Sequence, residues 1–178
     1  LLSESYTKLK YPLNLSLPPI PRRPKKEKIR IGYFSPDFHT HPVAHLTSEL
    51  FELHDKNHFE LFAFSLQGTS HQDEVRERLK NAFDHFIDTE NMGDSEIAKL
   101  ARELEIDIAI DLAGHTKNSK LGIFSYRAAP IQVNWLGYPG TLGAQFMDYI
   151  VADNTLIPAL SQQFYTEKVV YLPHTYMV

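Results

Sequence analysis

The amino-acid sequence predicts an α/β domain built on a mostly parallel, doubly wound sheet, and three observations carry that prediction. From Lys28 onward, apolar runs of strand length alternate with segments of helical periodicity. No two runs are joined by a hairpin signal. The run Ile106-Asp107-Ile108-Ala109-Ile110-Asp111-Leu112 is mostly apolar, as expected of a strand covered by helices on both faces. This combination defines a Rossmann-like topology.

Taken in order, Ile29 to Ser35 reads as the first strand, and Ala44 to His54 as a helix with Leu46, Leu50, Phe51 and Leu53 at helical spacing. Phe59 to Leu66 is a second strand. A charged helical stretch over about Gln72 to Asn81 and a short strand at His85 to Ile87 follow. Asp94 or Ser95 can cap a helix whose Ile97, Leu100, Ala101 and Leu104 share one face, and Ile106 to Leu112 is the fourth strand. A short helix around Leu121 to Tyr126 and strands at Ile131 to Leu136, Tyr149 to Ala152 and Val169 to Leu172 complete the pattern.

With 178 residues, 43% of them hydrophobic, one core is the expected number of domains. No run of 18 apolar residues predicts a membrane span, no signal peptide is evident, and the absence of cysteine removes disulfides, thiolate nucleophiles and Cys-ligated zinc. The cytoplasm is the expected compartment. Residues 1–28 carry seven Lys or Arg against Glu4 and Glu27, a net +5, so the rest holds −9 of the overall −4. A basic arm can bind nucleic acid, but this one is interrupted by Pro12, Pro18, Pro19, Pro21 and Pro24 and has no interleaved aromatics at its Arg22-Arg23-Pro24-Lys25-Lys26 cluster. Residues 1–27 therefore read as a basic, proline-rich, solvated linker and 28–178 as the folded lobe. Both ends read as cut from a longer polypeptide.

In a sheet of this type ligands bind beyond the carboxyl ends of the strands, at the switch point between the first and fourth strands. The two most chemically loaded segments fall there: Ser35 to His45 and Asp111 to Asn118. Together they hold four of the nine histidines. His39 has the reading of an ordinary exposed loop histidine. His41 differs because Pro42 follows it, which forces an extended conformation and starts a helix just beyond. A helix N-terminus favours an anion and keeps a nearby imidazole neutral and able to accept a proton. His45, one turn further on, is either a buried hydrogen-bonding residue or a ligand contact. Asp111 and His115 flank Gly114; the carboxylate either orients the imidazole or closes the turn through backbone N–H groups. Lys117 is a point charge for a phosphate, or a solvated lysine. After the fifth strand, Gly137, Tyr138, Pro139, Gly140 and Thr141 form a loop able to cradle an oxyanion, or a plain turn. No G-x-G-x-x-G and no P-loop is present.

These residues carry a resemblance. Arg30 to Phe38 with His41-Pro42 and His45, Asp111-Leu112 with Gly114-His115-Thr116, Pro130 to Thr141, and Met147-Asp148-Tyr149 resemble the O-linked N-acetylglucosamine transferase and SPINDLY family, from about Lys28 to Thr175. The resemblance implies one lobe of a GT-B glycosyltransferase, inverting and metal-independent, with no cofactor. It implies transfer of N-acetylglucosamine from UDP-GlcNAc to Ser or Thr hydroxyls of acceptor proteins. It further implies tetratricopeptide repeats upstream and a second catalytic lobe downstream that supplies most contacts to the nucleotide, so the lobe alone is expected to be inactive. Neither nucleic acid nor a membrane is an expected partner. His41, Asp111 and His115 become the candidate catalytic residues. Pro42, His45, Gly114, Thr116, Lys117, Gly137, Tyr138, Pro139, Gly140 and Thr141 are the candidate substrate contacts, and no residue is assigned to a metal. GDP-fucose, used by the SPINDLY branch, is the alternative donor. The Tyr138 to Thr141 and Gln145 to Asp148 runs look closer to the N-acetylglucosamine branch. Two rivals come from other classes: a mononuclear metal hydrolase using His39, His41, His45, Asp111 and His115, and a non-catalytic protein-binding scaffold.

Overall fold

The structure is a computed structural model and describes residues 2–68 and 72–178. Among the described residues seven strands form one parallel sheet in the order β3-β2-β1-β4-β5-β6-β7. They are β1 (Ile29–Ser35), β2 (Phe59–Ser65), β3 (His85–Asp88), β4 (Ile108–Asp111), β5 (Ile131–Asn134), β6 (Tyr149–Ala152) and β7 (Lys168–Tyr171). The helices are α1 (Leu2–Lys10), α2 (Pro42–Leu53), α3 (Glu74–Ala82), α4 (Asp94–Glu103) and α5 (Gly122–Ser125), with a 3-10 turn at Ala159–Phe164. The doubly wound fold is present, and the first and fourth strands lie side by side at the switch point as expected.

Alternation along β1 and β2 shows why helices must cover both faces. Ile31, Tyr33, Leu61 and Ala63 pack with Phe51 of α2 and Leu79 and Ala82 of α3. Phe34, Phe62 and Phe64 point the other way, into Ile97, Ala98 and Ala101 of α4 and Ile123 and Phe124 of α5. Phe34 and Phe64, paired in register across β1 and β2, stack with centroids 4.3 Å apart and planes 3° from parallel. Their fully buried rings each remove enough apolar surface to contribute about 2–3 kcal/mol.

Three details differ from the sequence reading. The N-cap of α4 is Gly93, not Asp94 or Ser95, because Glu96 reaches back to accept the Gly93 N–H at 2.7 Å. Strands β4 and β5 stop at Asp111 and Asn134, short of Leu112 and Leu136. The leader is largely exposed, as a linker would be, but it is tied to the lobe at a few points. Thr7 of α1 is 1% exposed, Arg23 donates to the Arg102 carbonyl, and Lys26 donates to the Glu105 carbonyl and pairs with Asp107. The basic residues that read as solvated are in part stitches to backbone carbonyls and carboxylates at the amino ends of the strands. A cavity of about 1120 Å³ lies between the leader and that end, lined by Leu17, Ile20, Arg23, Arg102, Asp107 and Pro130. It sits at the pole opposite the carboxyl ends of the strands.

Candidate functional site

At the carboxyl pole, β1, β4 and β5 end side by side, Phe34 in register with Asp111 and Asp111 with Asn134. The loop after β1 is held from beneath. Asp73 caps α3 by accepting the Arg76 N–H at 2.8 Å through one oxygen and accepts the Thr40 N–H at 2.9 Å through the other. Burial opposes ionisation of Asp73, but those backbone bonds outweigh it and hold the carboxyl down at about 2. The buried Arg76 donates to the Phe38 carbonyl at 3.1 Å and to Ser65 Oγ at 3.0 Å and pairs with Asp88. The His39–His41 turn is thereby fixed to β2 and β3.

His41 is the N-cap of α2, extended at φ −153° and ψ 150°, with Pro42 in the first turn. Its Nδ1 accepts the Val43 N–H at 3.3 Å, so the neutral ring in this arrangement carries its proton on Nε2. Asp37 Oδ2 lies 3.7 Å from the same nitrogen. Moving the ring proton to Nδ1, toward Asp37, frees Nε2 to accept one. Burial raises the Asp37 carboxyl, and His41 and His39 counter that. Asp37 was not singled out in the sequence; its signal is the i,i+4 spacing to His41. His45 is exposed and not buried.

Asp111 is 2% exposed, and both its oxygens are taken by backbone: Oδ1 accepts from Ala113 N and Oδ2 from Gly114 N, each at 3.0 Å. The turn-closing alternative is the one realised, and Asp111 makes no bond to His115. Gly114 closes the turn at φ +60°. Burial raises the Asp111 carboxyl from 3.8 to about 6, the two N–H bonds opposing it. A carboxyl raised in the folded state stabilises most below its unfolded value, and that contribution is lost as pH rises through about 6. From about pH 4 to about pH 7.5, wild type is expected to lose about 2 kcal/mol relative to Asp111→Asn, which cannot titrate. Urea unfolding of both chains across that range measures it, and parallel curves would overturn it.

His115 turns away from Asp111. Its Nε2 lies 3.1 Å from the Leu142 carbonyl oxygen, and its ring meets Tyr138 edge-on at 5.3 Å. The loops after β4 and β5 are thus in direct contact. Gly137 crosses so close that a Cβ there would run into the Leu112 carbonyl oxygen. Thr116, Lys117 and Pro139 are exposed, and Gly140 is half-buried under the Tyr138 ring. Thr141 Oγ1 donates to Glu167 Oε2 at 2.7 Å, and the other oxygen of Glu167 accepts from Leu142 N at 2.8 Å. This engages Thr141 internally. Leu136 adopts φ 72°, a left-handed conformation that costs a non-glycine residue about 1–2 kcal/mol.

Among the described residues no contact joins His41 to Asp111 or His115; the three share the pole as neighbours. Sequence reasoning also passed over Glu167 and Asn134. Asn134 donates to the Tyr138 carbonyl at 3.0 Å, while its buried Oδ1 has no hydrogen-bond partner. No group of three His, Asp or Glu stands at metal-binding spacing among the described residues. No helix in the described residues is long and apolar enough to cross a membrane.

A parallel sheet covered on both faces, with imidazoles, a raised carboxyl and a glycine-rich loop at its carboxyl pole, defines a Rossmann-like ligand-binding lobe. The chain belongs to glycosyl transferase family 41, whose model matches residues 15–178. It is 39% identical over 160 residues to the probable UDP-N-acetylglucosamine–peptide N-acetylglucosaminyltransferase SEC of Arabidopsis thaliana, covering 90% of this chain and 16% of that protein. It is also 39% identical over 156 residues to the UDP-N-acetylglucosamine–peptide N-acetylglucosaminyltransferase of Caenorhabditis elegans, 85% of this chain and 13% of that one. A mutant of the Thermobaculum terrenum O-GlcNAc transferase superposes with TM-score 0.90 at 33% identity, covering 99% of this chain and 34% of that chain. The fold is therefore that of one lobe of a GT-B glycosyltransferase. The chain spans about a sixth or less of the length of these two sequence relatives.

Proposed function

We propose that this chain is the N-terminal catalytic lobe of a protein O-glycosyltransferase that moves N-acetylglucosamine from UDP-GlcNAc to Ser and Thr hydroxyls. The observation that carries the reading is His41 at the N-terminus of α2, beside Asp37, at the carboxyl pole of a family 41 lobe. The acceptor hydroxyl attacks the anomeric carbon from the face opposite the diphosphate; the C–O bond forms as the bond to the diphosphate breaks, and the configuration inverts. His41 Nε2 takes the hydroxyl proton once its Nδ1 proton faces Asp37, whose carboxylate stabilises the imidazolium. The amide groups of the first turn of α2 and of the Gly137–Thr141 loop offer N–H dipoles to developing negative charge. The remainder of the polypeptide supplies the second wall of the cleft, and the lobe by itself is expected to turn over no donor. The chemistry needs no cofactor or resident metal in this reading.

The test is mass spectrometry of acceptor proteins incubated with the full-length parent and either UDP-GlcNAc or GDP-fucose. An N-acetylhexosamine adduct on Ser or Thr from the first donor alone is the expected result. Fucose transfer alone would move the donor assignment to the SPINDLY branch, and no transfer from either would overturn the transferase reading in favour of a scaffold.

A further inference from the structure

Helix α1 precedes the residues that the family model matches, yet it packs against the carboxyl pole. Its backbone at Ser3 and Glu4 lies directly on Gly143, the Glu4 Cα only 2.7 Å from where a side chain would start. Thr7, further along the same helix, is buried. From the other side Glu167 holds the same loop through Thr141 and Leu142. The loop that touches His115 is thus clamped between α1 and the start of β7.

The hydrogen positions in this cluster follow from counting protons. Ser3 Oγ donates to the Thr141 carbonyl at 2.8 Å and Thr7 Oγ1 to the Leu142 carbonyl at 2.6 Å. Each hydroxyl has one proton and has spent it. What they turn toward His115 Nε2, at 3.3 and 3.4 Å, is therefore a lone pair. The third atom facing Nε2, the Leu142 carbonyl oxygen, can only accept. Three acceptors surround one nitrogen, so that nitrogen carries the proton. A neutral imidazole has a single N–H, which leaves Nδ1 with its lone pair and with no hydrogen bond to a described residue. Tyr6 of α1 and Tyr138 meet the ring edge-on at 5.5 and 5.3 Å and fix its plane.

We propose that α1 is a working part of the active site: Ser3 and Thr7 are positioning residues that lock His115 in the Nε2–H tautomer, so that its Nδ1 accepts a hydrogen bond from an O–H or N–H of the bound sugar or acceptor. The proposal rests on the glycosyltransferase reading above. It makes the segment upstream of the lobe a determinant of rate and not only a connection.

A double-mutant cycle in the full-length enzyme tests it, with sugar transfer from UDP-GlcNAc as the readout. Thr7→Val, which keeps the shape and loses the hydroxyl, is expected to lower kcat/KM about tenfold, and Thr7→Ser to restore it. In a His115→Ala background Thr7→Val is expected to cost nothing further, because its effect runs through that ring. Losses that multiply in the double variant would overturn the proposal and make α1 a purely structural brace. If melting shows that Thr7→Val detaches α1, Ser3→Ala with His115→Ala closes the same cycle through the less buried hydroxyl. Wild-type enzyme that transfers no sugar would sink the transferase reading and this proposal with it, a result distinct from an active enzyme with multiplying losses.

Discussion

His41→Ala in the full-length enzyme is expected to lower kcat for sugar transfer by about 10²–10⁴-fold, the range over which a positioned proton acceptor acts. The side chain has two jobs in the structure, however, and the experiment must separate them. As N-cap of α2 it accepts the Val43 N–H, and losing a cap costs about 1 kcal/mol of stability. As neighbour of Asp37 it can hold a ring proton and free Nε2 for the acceptor hydroxyl. His41→Asn divides the two: its side-chain oxygen can accept the Val43 N–H, but an amide takes no proton at neutral pH. Melting of His41→Asn is therefore expected near wild type, with kcat as low as in the alanine variant. Recovery of rate in His41→Asn would show that His41 acts only as a cap and would leave the proton to another acceptor. Asp37→Asn is the companion: it removes the carboxylate that stabilises the imidazolium while leaving the cap intact.

The parts of this molecule legible in the sequence are those whose causes are local. Strand β1 and strand β6 occupy the predicted residues because apolar, β-branched and aromatic runs declare themselves over a few positions. The pole where the loops meet followed from strand order alone, since a parallel sheet must open between β1 and β4. What the sequence hid lies in long-range contacts. Leu2–Lys10 carries too few apolar residues to announce a packed helix, and only Thr7 is buried; its partners His115, Thr141 and Leu142 are more than a hundred positions away. Within the largely exposed basic cluster at Arg22 to Lys26, the ties made by Arg23 and Lys26 stay hidden for the same reason: the carbonyls and carboxylates they meet belong to the end of α4 and the approach to β4. Asp111 stands out in the sequence as a carboxylate at the end of an apolar strand. Whether it would turn to His115 or to its own loop depended on where Leu142 offers its carbonyl, and no local pattern encodes that.

Gly137→Ala is expected to be strongly destabilising for a change of a single methyl group. A Cβ at that position would overlap the Leu112 carbonyl oxygen, lie 3.0 Å from the Leu112 carbonyl carbon and 3.2 Å from Ala113 Cα. All three are backbone atoms at the end of β4, tied in place because Leu112 N donates to the Phe34 carbonyl and Asp111 holds the next two N–H groups. Neither side can yield by rotating a side chain. Just upstream, Leu136 is held at φ 72°, so the loop enters the crossing already strained. Relief requires the loop to lift off β4, breaking the His115–Leu142 contact and exposing part of the Trp135 and Leu136 packing. A loss of about 3 kcal/mol or more follows, roughly a 10 °C fall in Tm for a chain of this size. Gly140→Ala is the matched comparison in the same loop. Its Cβ would meet only the Tyr138 ring at 2.9 Å, and that ring can swing aside, so the expected cost stays below about 1 kcal/mol. Thermal melts of the two variants decide the point: equal, small shifts would mean that the loop after β5 does not rest on β4 and that the contact joining the two halves of the site is not held by packing at Gly137.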